Sequence, residues 1–225
     1  MAEIDFALMR RHPLYQGLAA PAFERLREEA RVVPYGKGQV IFLAGDPADR
    51  LFFLSAGWLK VFRDSAEGAQ SVLHVVGPGE SFAEPAALAL KRYPASAEAV
   101  SDLRLVELPA EFYREILRET PDLAFAVIGS LALRLRSLTD DLSRRELMST
   151  RLRLAAFLLE LLGDGEGATD LTLPFDKALI AARIGMKPES LSRAFASLRE
   201  LGVETQGAKV SITDPARLRD LIDDA

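Results

Sequence analysis

Residues 180–201 read IAARIGMKPESLSRAFASLREL, and this stretch decides the fold of the C-terminal part of the chain. Ile180 and Ile184 give a short first helix one apolar face. Gly185 follows where a tight turn needs a residue that tolerates positive φ, and Pro188 suits the first position of a second helix. That helix has apolar residues at helical spacing that face inward: Leu191, Phe195, Leu198 and Leu201. The pattern predicts a helix-turn-helix.

The opposite face of the second helix carries Glu189, Ser192 and Arg193. A recognition helix presents such side chains near its N-terminus to base edges in the DNA major groove. Arg193 can donate two hydrogen bonds to guanine, Glu189 can accept one from a cytosine amino group, and Ser192 can bond a base or touch a thymine methyl group. Lys187 and Ser190 complete the predicted DNA-binding set. Taken alone, the stretch fits a helical hairpin with a solvated polar face equally well.

This second helix resembles the recognition helix of the CRP/FNR family of bacterial transcription regulators. In the FNR branch the reading signature is E-x-x-S-R, which Glu189, Ser192 and Arg193 match. The resemblance implies half-sites of the TTGA type in double-stranded DNA. It also implies RNA polymerase as a partner, and activation as the usual role.

The flanking segments extend the pattern to a winged helix-turn-helix domain over residues 149–225. Apolar spacing predicts a helix over 150–162, and LTLPF at 171–175 is typical of a strand. After the two helices, VETQGAKVSIT at 203–213 predicts a two-stranded wing around Gly207.

Residues 1–118 are predicted to form a sensor domain. Residues 3–30 have a helical pattern that Pro13 and Pro21 divide into short pieces. Short apolar runs between glycine turns then predict the strands of a jelly roll: QVIFLA (39–44), RLFFLS (50–55), WLKVFR (58–63), QSVLHVV (70–76) and LRLVELP (103–109). Four turn residues are placed as in a cyclic-nucleotide-binding domain, which this segment resembles: Gly36, Gly45, Asp46 and Gly57. The predicted fold class is α+β.

Residues 119–148 are predicted to form one long helix between the two domains. Pro121 opens it, and apolar residues recur with alternating steps of three and four: Ile128, Leu131, Leu135, Leu138 and Leu142. This seam is longer than packing on a small β domain requires, so it predicts a parallel homodimer rather than a helix that packs only on its own domain. Two copies of one helix-turn-helix can then reach half-sites about one DNA turn apart.

Composition excludes several classes of function. The chain of 225 residues has no cysteine and two histidines, which excludes disulfides, iron–sulfur clusters and a multi-histidine metal centre. It has no Walker-type loop or nucleophile elbow, so we expect no enzyme. It also has no apolar run of membrane-spanning length and no export signal, so we expect a cytoplasmic protein without a membrane partner. A formal net charge of −5 gives DNA binding no general electrostatic support.

The sensor domain departs from the cyclic-nucleotide pattern at the residues that hold the ligand. That pattern has a Gly-Glu pair for the ribose and an Arg-Ser pair for the cyclic phosphate, whose charge a guanidinium can bind. Here Ala83 and Glu84 stand at the first pair, and Tyr93 and Pro94 at the second. A register slip of one residue would bring Arg92 into play. We expect no cyclic nucleotide in this domain.

The stretches SFAEPAAL (81–88) and YPASAEAV (93–100) are similar to those of the nitric oxide-responsive dissimilatory nitrate respiration regulators. This resemblance implies haem as the cofactor, nitric oxide as the signal and denitrification genes as the targets. It places haem in an apolar cavity between the β domain and the long helix. The alternative is a regulator of the same family that responds to another small ligand, or to none.

Two histidines are the candidates for holding the haem iron. His12 comes first because it lies in the N-terminal segment, where this branch also carries a histidine. His74 lies in a predicted strand. Each fits better, taken singly, as an ordinary residue: His12 at the surface and His74 half-buried in its strand. Met9 and Tyr15 are conceivable second ligands, although no spacing indicates either, and no metal beyond haem iron is expected.

Overall fold

A computed structural model of the protein describes most of the chain, namely residues 2–64, 70–121, 124–125, 127–129, 132, 149–163 and 169–223. The chain divides into two units, Met1–Ser137 and Leu138–Ala225. The boundary between them falls inside the segment 119–148 that the sequence predicts to be one helix. Within the described ranges, no helix is both long and apolar enough to cross a membrane.

Three short helices begin the first unit, as the sequence predicts. They are α1 (Ala2–Arg10), α2 (Pro13–Gln16) and α3 (Ala20–Glu29). Pro13 and Pro21 both stand in the first turn of a helix, where the missing N–H costs no hydrogen bond. The two prolines therefore divide the segment by starting new helices.

Eight strands form an antiparallel roll: β1 (Arg31–Tyr35), β2 (Val40–Phe42), β3 (Arg50–Ala56), β4 (Leu59–Asp64), β5 (Gln70–Val76), β6 (Ser81–Phe82), β7 (Ser96–Ala99) and β8 (Leu103–Pro109). They make two four-stranded sheets, of order β1-β8-β3-β6 and β2-β7-β4-β5. Each of the five predicted runs coincides with one strand to within a few residues, so the predicted roll is confirmed. Strands β1, β6 and β7 were not predicted as separate runs.

Strand β3 is buried on both faces because two hydrophobic clusters cover it. Phe52 and Leu54 belong to the inner cluster, which contains side chains from both sheets. Leu51 and Phe53 belong to the outer cluster, which contains side chains of the three N-terminal helices. Successive side chains of a strand point to opposite faces. A strand covered on both sides therefore needs a run that is apolar throughout, as RLFFLS is.

Helix α4 (Ala110–Glu119) follows β8, and a π-helical turn (Ala86–Leu90) lies between β6 and β7. Thr120 leaves the helical conformation, and helical residues resume at Pro121, where the sequence predicts the long helix to begin. Of the predicted seam, Ile128 is described, and it is helical and exposed. The other four members lie outside the described residues: Leu131, Leu135, Leu138 and Leu142.

The second unit has the element order of a winged helix-turn-helix: α5 (Thr150–Leu162), β9 (Thr169–Thr172), α6 (Lys177–Arg183), α7 (Pro188–Leu198), a 3₁₀ turn (Arg199–Leu201), β10 (Val203–Gln206), β11 (Lys209–Ile212) and α8 (Pro215–Asp223). The wing is part of a three-stranded sheet of order β10-β11-β9. The α+β class is confirmed, and α8 is an element that the sequence analysis did not predict.

Candidate DNA-binding surface and sensor pocket

The turn between α6 and α7 has the geometry that its sequence predicts. Gly185 has φ +64°, a conformation that costs glycine less than any other residue. The N–H of Met186 donates to the Ala181 carbonyl at 2.8 Å, which closes the end of α6 in a Schellman-type turn. At the start of α6, the Asp176 carboxylate accepts the N–H of Leu179 at 2.9 Å. Local contacts therefore fix both ends of the first helix.

Helix α7 has one buried face, made of Leu191, Ala194, Phe195 and Leu198. The expectation that Leu201 continues this face is wrong, because Leu201 is only half-buried. The α-helix ends at Leu198, and the following 3₁₀ turn has a tighter period that does not keep the stripe in register. Ile184, at the C-terminal end of α6, is also half-buried rather than buried.

The side chains predicted to read DNA form an exposed strip on the opposite face of α7, the recognition strip: Glu189, Ser192 and Arg193. Their spacing of three and four residues puts them on one side of the helix. The Ser192 hydroxyl donates to the Pro188 carbonyl at 3.2 Å, so its oxygen can still accept from a base. Lys187 is exposed at the N-terminal cap of α7, whereas Ser190 is half-buried.

Two arginine contacts join α5 to the helix-turn-helix. Arg183 Nη2 lies 3.1 Å from Glu160 Oε1. Arg153 Nη1 donates to the carbonyls of Ile184 and Gly185, at 3.2 and 2.7 Å. The sequence analysis missed both contacts, since α5 carries no motif and the partners stand more than twenty residues away along the chain.

The wing turns at Gly207, as predicted. Gln206 pairs with Lys209, which leaves a two-residue turn between β10 and β11. Gly207 has φ +62° and is exposed at this tip. Glycine is favoured in such two-residue turns because their backbone is left-handed.

In the first unit, the backbone at Ala83 has the conformation expected of the cyclic-nucleotide pattern, although the residue differs from that pattern. Ala83 has φ +68°, a left-handed conformation that favours glycine. The pattern has a glycine at this position, so the structure supports the assignment of Ala83 and Glu84 to the Gly-Glu pair.

Glu84 is buried near two tyrosines of the outer cluster. Burial raises the pKa of both Tyr15 and Tyr113, and the charge of Glu84 raises both further. The Tyr15 hydroxyl pairs with Ser81 Oγ at 3.1 Å, and the Tyr113 hydroxyl donates to the Leu14 carbonyl at 3.2 Å. The Glu84 carboxylate therefore interacts electrostatically with Tyr15 and Tyr113 of the outer cluster.

Tyr93 is buried at the position where the cyclic-nucleotide pattern has the arginine of its Arg-Ser pair. Its ring stacks on Phe42 with the centroids 3.8 Å apart, and its hydroxyl donates to the Arg50 carbonyl at 2.8 Å. Burial raises the pKa of Tyr93 to about 12. Arg92, by contrast, is exposed, and its Nη1 donates to the Gly45 carbonyl at 2.5 Å. The one-residue slip therefore does not bring a guanidinium into the roll.

A cavity of about 320 Å³ opens beside Tyr93 and has three carboxylates in its wall, those of Asp46, Asp49 and Glu107. Glu107 accepts the Tyr35 hydroxyl at 2.6 Å and Arg50 Nη1 at 3.1 Å. Arg50 is the one guanidinium in the wall, and Glu107 already neutralises it. Electrostatics therefore disfavour an anionic ligand in this cavity.

His12 caps helix α2 and is half-buried. Its Nδ1 accepts the N–H of Leu14 at 3.3 Å, and its ring centroid lies 5.6 Å from Tyr15 and 5.8 Å from Phe53. The structure thus replaces the expected surface position of His12 with a capping role. A neutral ring whose Nδ1 accepts carries its proton on Nε2, so metal binding through either nitrogen would break this cap or displace that proton.

His74 is 49% exposed, and its Nε2 lies 3.3 Å from Glu80 Oε2. Met9 and Tyr15, the conceivable second ligands, are both fully buried. Among the residues that the structure describes, no group of three or more histidine, cysteine, aspartate or glutamate side chains could hold a metal ion.

A β roll followed by a winged helix-turn-helix defines a class of DNA-binding transcription regulators. Residues 32–120 match the cyclic nucleotide-binding domain family, and residues 152–221 match the Crp-like helix-turn-helix domain family. The cyclic AMP receptor protein of Thermus thermophilus is 31% identical over 214 residues, which cover 95% of this chain and 98% of that protein. The chain therefore belongs to the CRP/FNR family of transcription regulators, and it is not an enzyme.

Further relatives have the same arrangement. The CRP-like cAMP-activated global transcriptional regulator of Mycobacterium tuberculosis is 26% identical over 94% of this chain and 96% of its own length. A Ruegeria pomeroyi protein, described as cyclic nucleotide binding, has a solved structure with 36% identity and a TM-score of 0.84 over 98% of both chains. DNR from Pseudomonas aeruginosa has 28% identity and a TM-score of 0.58, over 95% of this chain and 96% of DNR. Regulators of this family bind DNA and typically act as dimers.

Proposed function

We propose that this chain is a homodimeric regulator that reads palindromes of the TTGA type through the recognition strip. The observation that carries this proposal is the exposure of Glu189, Ser192 and Arg193 on one side of α7, opposite its buried face. Arg193 supplies the donors for guanine, and Glu189 and Ser192 supply acceptors for base amino groups. Lys187 lies at the start of the same helix, where a cation can contact a phosphate.

The helical turn that contains Ile128, the first residue of the predicted seam, supports the homodimer. Phe125 and Ile128 are 73% and 61% exposed, whereas Val127 between them is 4% exposed. Residues three apart lie on the same side of a helix. Exposed apolar side chains so placed are stabilised when a second copy covers them.

A mobility-shift titration of the Arg193→Ala variant tests the reading of DNA. We expect the preference for TTGA half-sites over sites with a substituted guanine to fall by about 1–3 kcal/mol per half-site, since the bidentate contact is lost. The control is Lys187→Ala, which should weaken binding to both DNAs equally and lower the salt dependence. Unchanged discrimination in Arg193→Ala would show that α7 does not read the guanine.

Two hypotheses concern the signal. Haem as cofactor and nitric oxide as signal, acting on denitrification genes, is supported by the likeness to DNR. Bound haem would supply an iron atom to which nitric oxide binds. The described surroundings of the histidines do not fit an iron ligand, because His12 caps α2 through Nδ1 and His74 pairs with Glu80. The haem hypothesis is therefore supported by likeness and not by the geometry of these side chains.

The second hypothesis, another small ligand or none, is favoured by the engaged histidines. The names of several relatives indicate cyclic AMP, but two observations oppose a cyclic nucleotide in this chain. Tyr93 is buried where the pattern has its arginine pair, and the adjoining cavity has three carboxylates against one paired guanidinium. We therefore propose that the roll binds no cyclic nucleotide.

An anaerobic absorption titration of the purified protein with haem, followed by nitric oxide, separates the two hypotheses. Saturable binding of one haem per chain, with a gain of TTGA-site affinity on addition of nitric oxide, would support the first. Loss of that binding in His12→Ala but not in His74→Ala would identify the ligand. An absence of saturable binding would reject haem, and calorimetry with cyclic AMP would then test the exclusion of nucleotides.

A further inference from the structure

Arg153 of α5 holds the turn of the helix-turn-helix by its backbone. Its Nη1 donates to the carbonyl oxygens of Ile184 and Gly185, at 3.2 and 2.7 Å. Carbonyls at the end of a helix lack donors from the helix itself, so an external donor there stabilises the end. The charge of the guanidinium also suits the negative end of the helix dipole.

The contact of Arg153 links helix α5 to the turn between α6 and α7. Arg153 is the fourth residue of α5, and Ser149 caps the N-terminus of that helix. Helix α5 is the first described element of the second unit, and it packs against α7 and α8. The contact of Arg153 therefore joins the entry of the DNA-binding unit to the turn from which α7 starts. Arg183 and Glu160 make a second link between α5 and α6.

We propose that Arg153 is a positioning residue for DNA reading. The two carbonyls that it holds come directly before Met186 and Lys187, so they set where α7 begins and where the recognition strip points. Both contacts come from Nη1, whose N–H directions are fixed by the planar guanidinium, whereas an ammonium group rotates freely. This inference rests on the proposed reading of TTGA sites by that strip.

Base contacts and phosphate contacts differ in how much they depend on such positioning. A bidentate contact to a base tolerates only small displacements of the side chain. Contacts to phosphates depend mainly on charge and occur on any sequence. Loss of the Arg153 contacts therefore lowers binding to the specific site more than binding to unrelated DNA. A residue that acts only on folding would not change the ratio of the two affinities in the folded protein.

The test compares full-length wild type with Arg153→Met, which keeps much of the apolar stem and removes every donor. Dissociation constants are measured for a TTGA palindrome and for a scrambled duplex of the same length at one salt concentration. We expect the ratio of the two affinities to fall about tenfold, with scrambled-DNA affinity within about twofold of wild type. The charge-matched control is Arg217→Met, an exposed arginine on α8 whose loss should leave the ratio unchanged.

Arg153→Lys is the second variant, and it decides the test if Arg153→Met does not fold. It keeps the charge but lacks the planar group that fixes the directions of the N–H donors, so we expect a smaller but measurable fall of the ratio. A wild-type ratio in the folded variants, or an equal loss on both duplexes, would overturn this inference alone. A wild-type protein that does not prefer TTGA sites would overturn the proposed function, and this inference with it.

Discussion

The two units of the chain hold their functional side chains in different ways. In the second unit, the recognition strip lies within one helical turn, Glu189–Arg193, and its geometry follows from local spacing. In the first unit, the polar groups come from distant parts of the chain. Tyr15 meets Ser81, and Tyr93 donates to the Arg50 carbonyl. A substitution on α7 therefore removes one contact, whereas a substitution in the roll disturbs packing among several elements.

Of the variants that test this difference between the units, Phe53→Ala is expected to have the largest effect on stability. Phe53 is fully buried in the outer cluster and meets the rings of His12 and Tyr15. The cavity left behind should lower the free energy of unfolding of the first unit by about 3–5 kcal/mol. Hydrogen exchange would show loss of protection in the strands of the roll, with protection retained over 177–212. Equal loss in both parts would show that the two units unfold together.

The next largest effect is expected from alkaline pH, which should destabilise the first unit more than the second. Burial is the main cause that raises the pKa of Tyr15, Tyr93 and Tyr113, and every tyrosine of the chain lies in the first unit. Tyrosine is neutral when protonated, so a raised pKa in the folded state contributes stability that is present below the unfolded pKa of about 10. That stability is lost as the pH rises from about 10 towards the folded pKa.

Fluorescence of the single tryptophan, Trp58, follows the first unit during this titration. The control is Tyr93→Phe, which removes one ionisable hydroxyl and should reduce the alkaline loss of stability. A Trp58 transition complete well below the ordinary tyrosine pKa, or one identical in Tyr93→Phe, would contradict the assigned cause.

The smallest effect is expected from Ala83→Gly, and the sign of its change in stability tests the left-handed backbone at that residue. A left-handed backbone costs a residue with a side chain roughly 1–2 kcal/mol. Glycine avoids this cost, but its greater entropy in the unfolded chain offsets part of the advantage. Ala83→Gly should therefore stabilise the first unit by about 0.5–1 kcal/mol. The control is Ala87→Gly, at a buried position with an ordinary φ, which should destabilise. Thermal unfolding measures both, and the same sign in both variants would contradict the assigned strain.

The helix-turn-helix was predictable in detail because its determinants are local. Gly185 and Pro188 have the roles that the sequence assigns them, and helix α5 has the predicted bounds of 150–162. The error at Leu201 came from extending an α-helical period into a 3₁₀ turn. In the roll, β2, β3, β4, β5 and β8 were predictable from their apolar runs. The short strands β6 and β7 were missed because pairing with distant strands defines them more than their own composition does.

The sequence by itself determined the helix-turn-helix with its wing, the family and the recognition strip, since periodicity and turn residues act between near neighbours. The tertiary structure decided the roles of Arg153, His12, Tyr93 and Glu84. Each of these side chains makes contacts that its own segment does not show. Its chemistry depends on which distant group the fold brings beside it: a helix end, an aromatic ring or a buried tyrosine. Burial and hydrogen bonding across the chain change the chemistry of a side chain, and a local pattern carries no record of either.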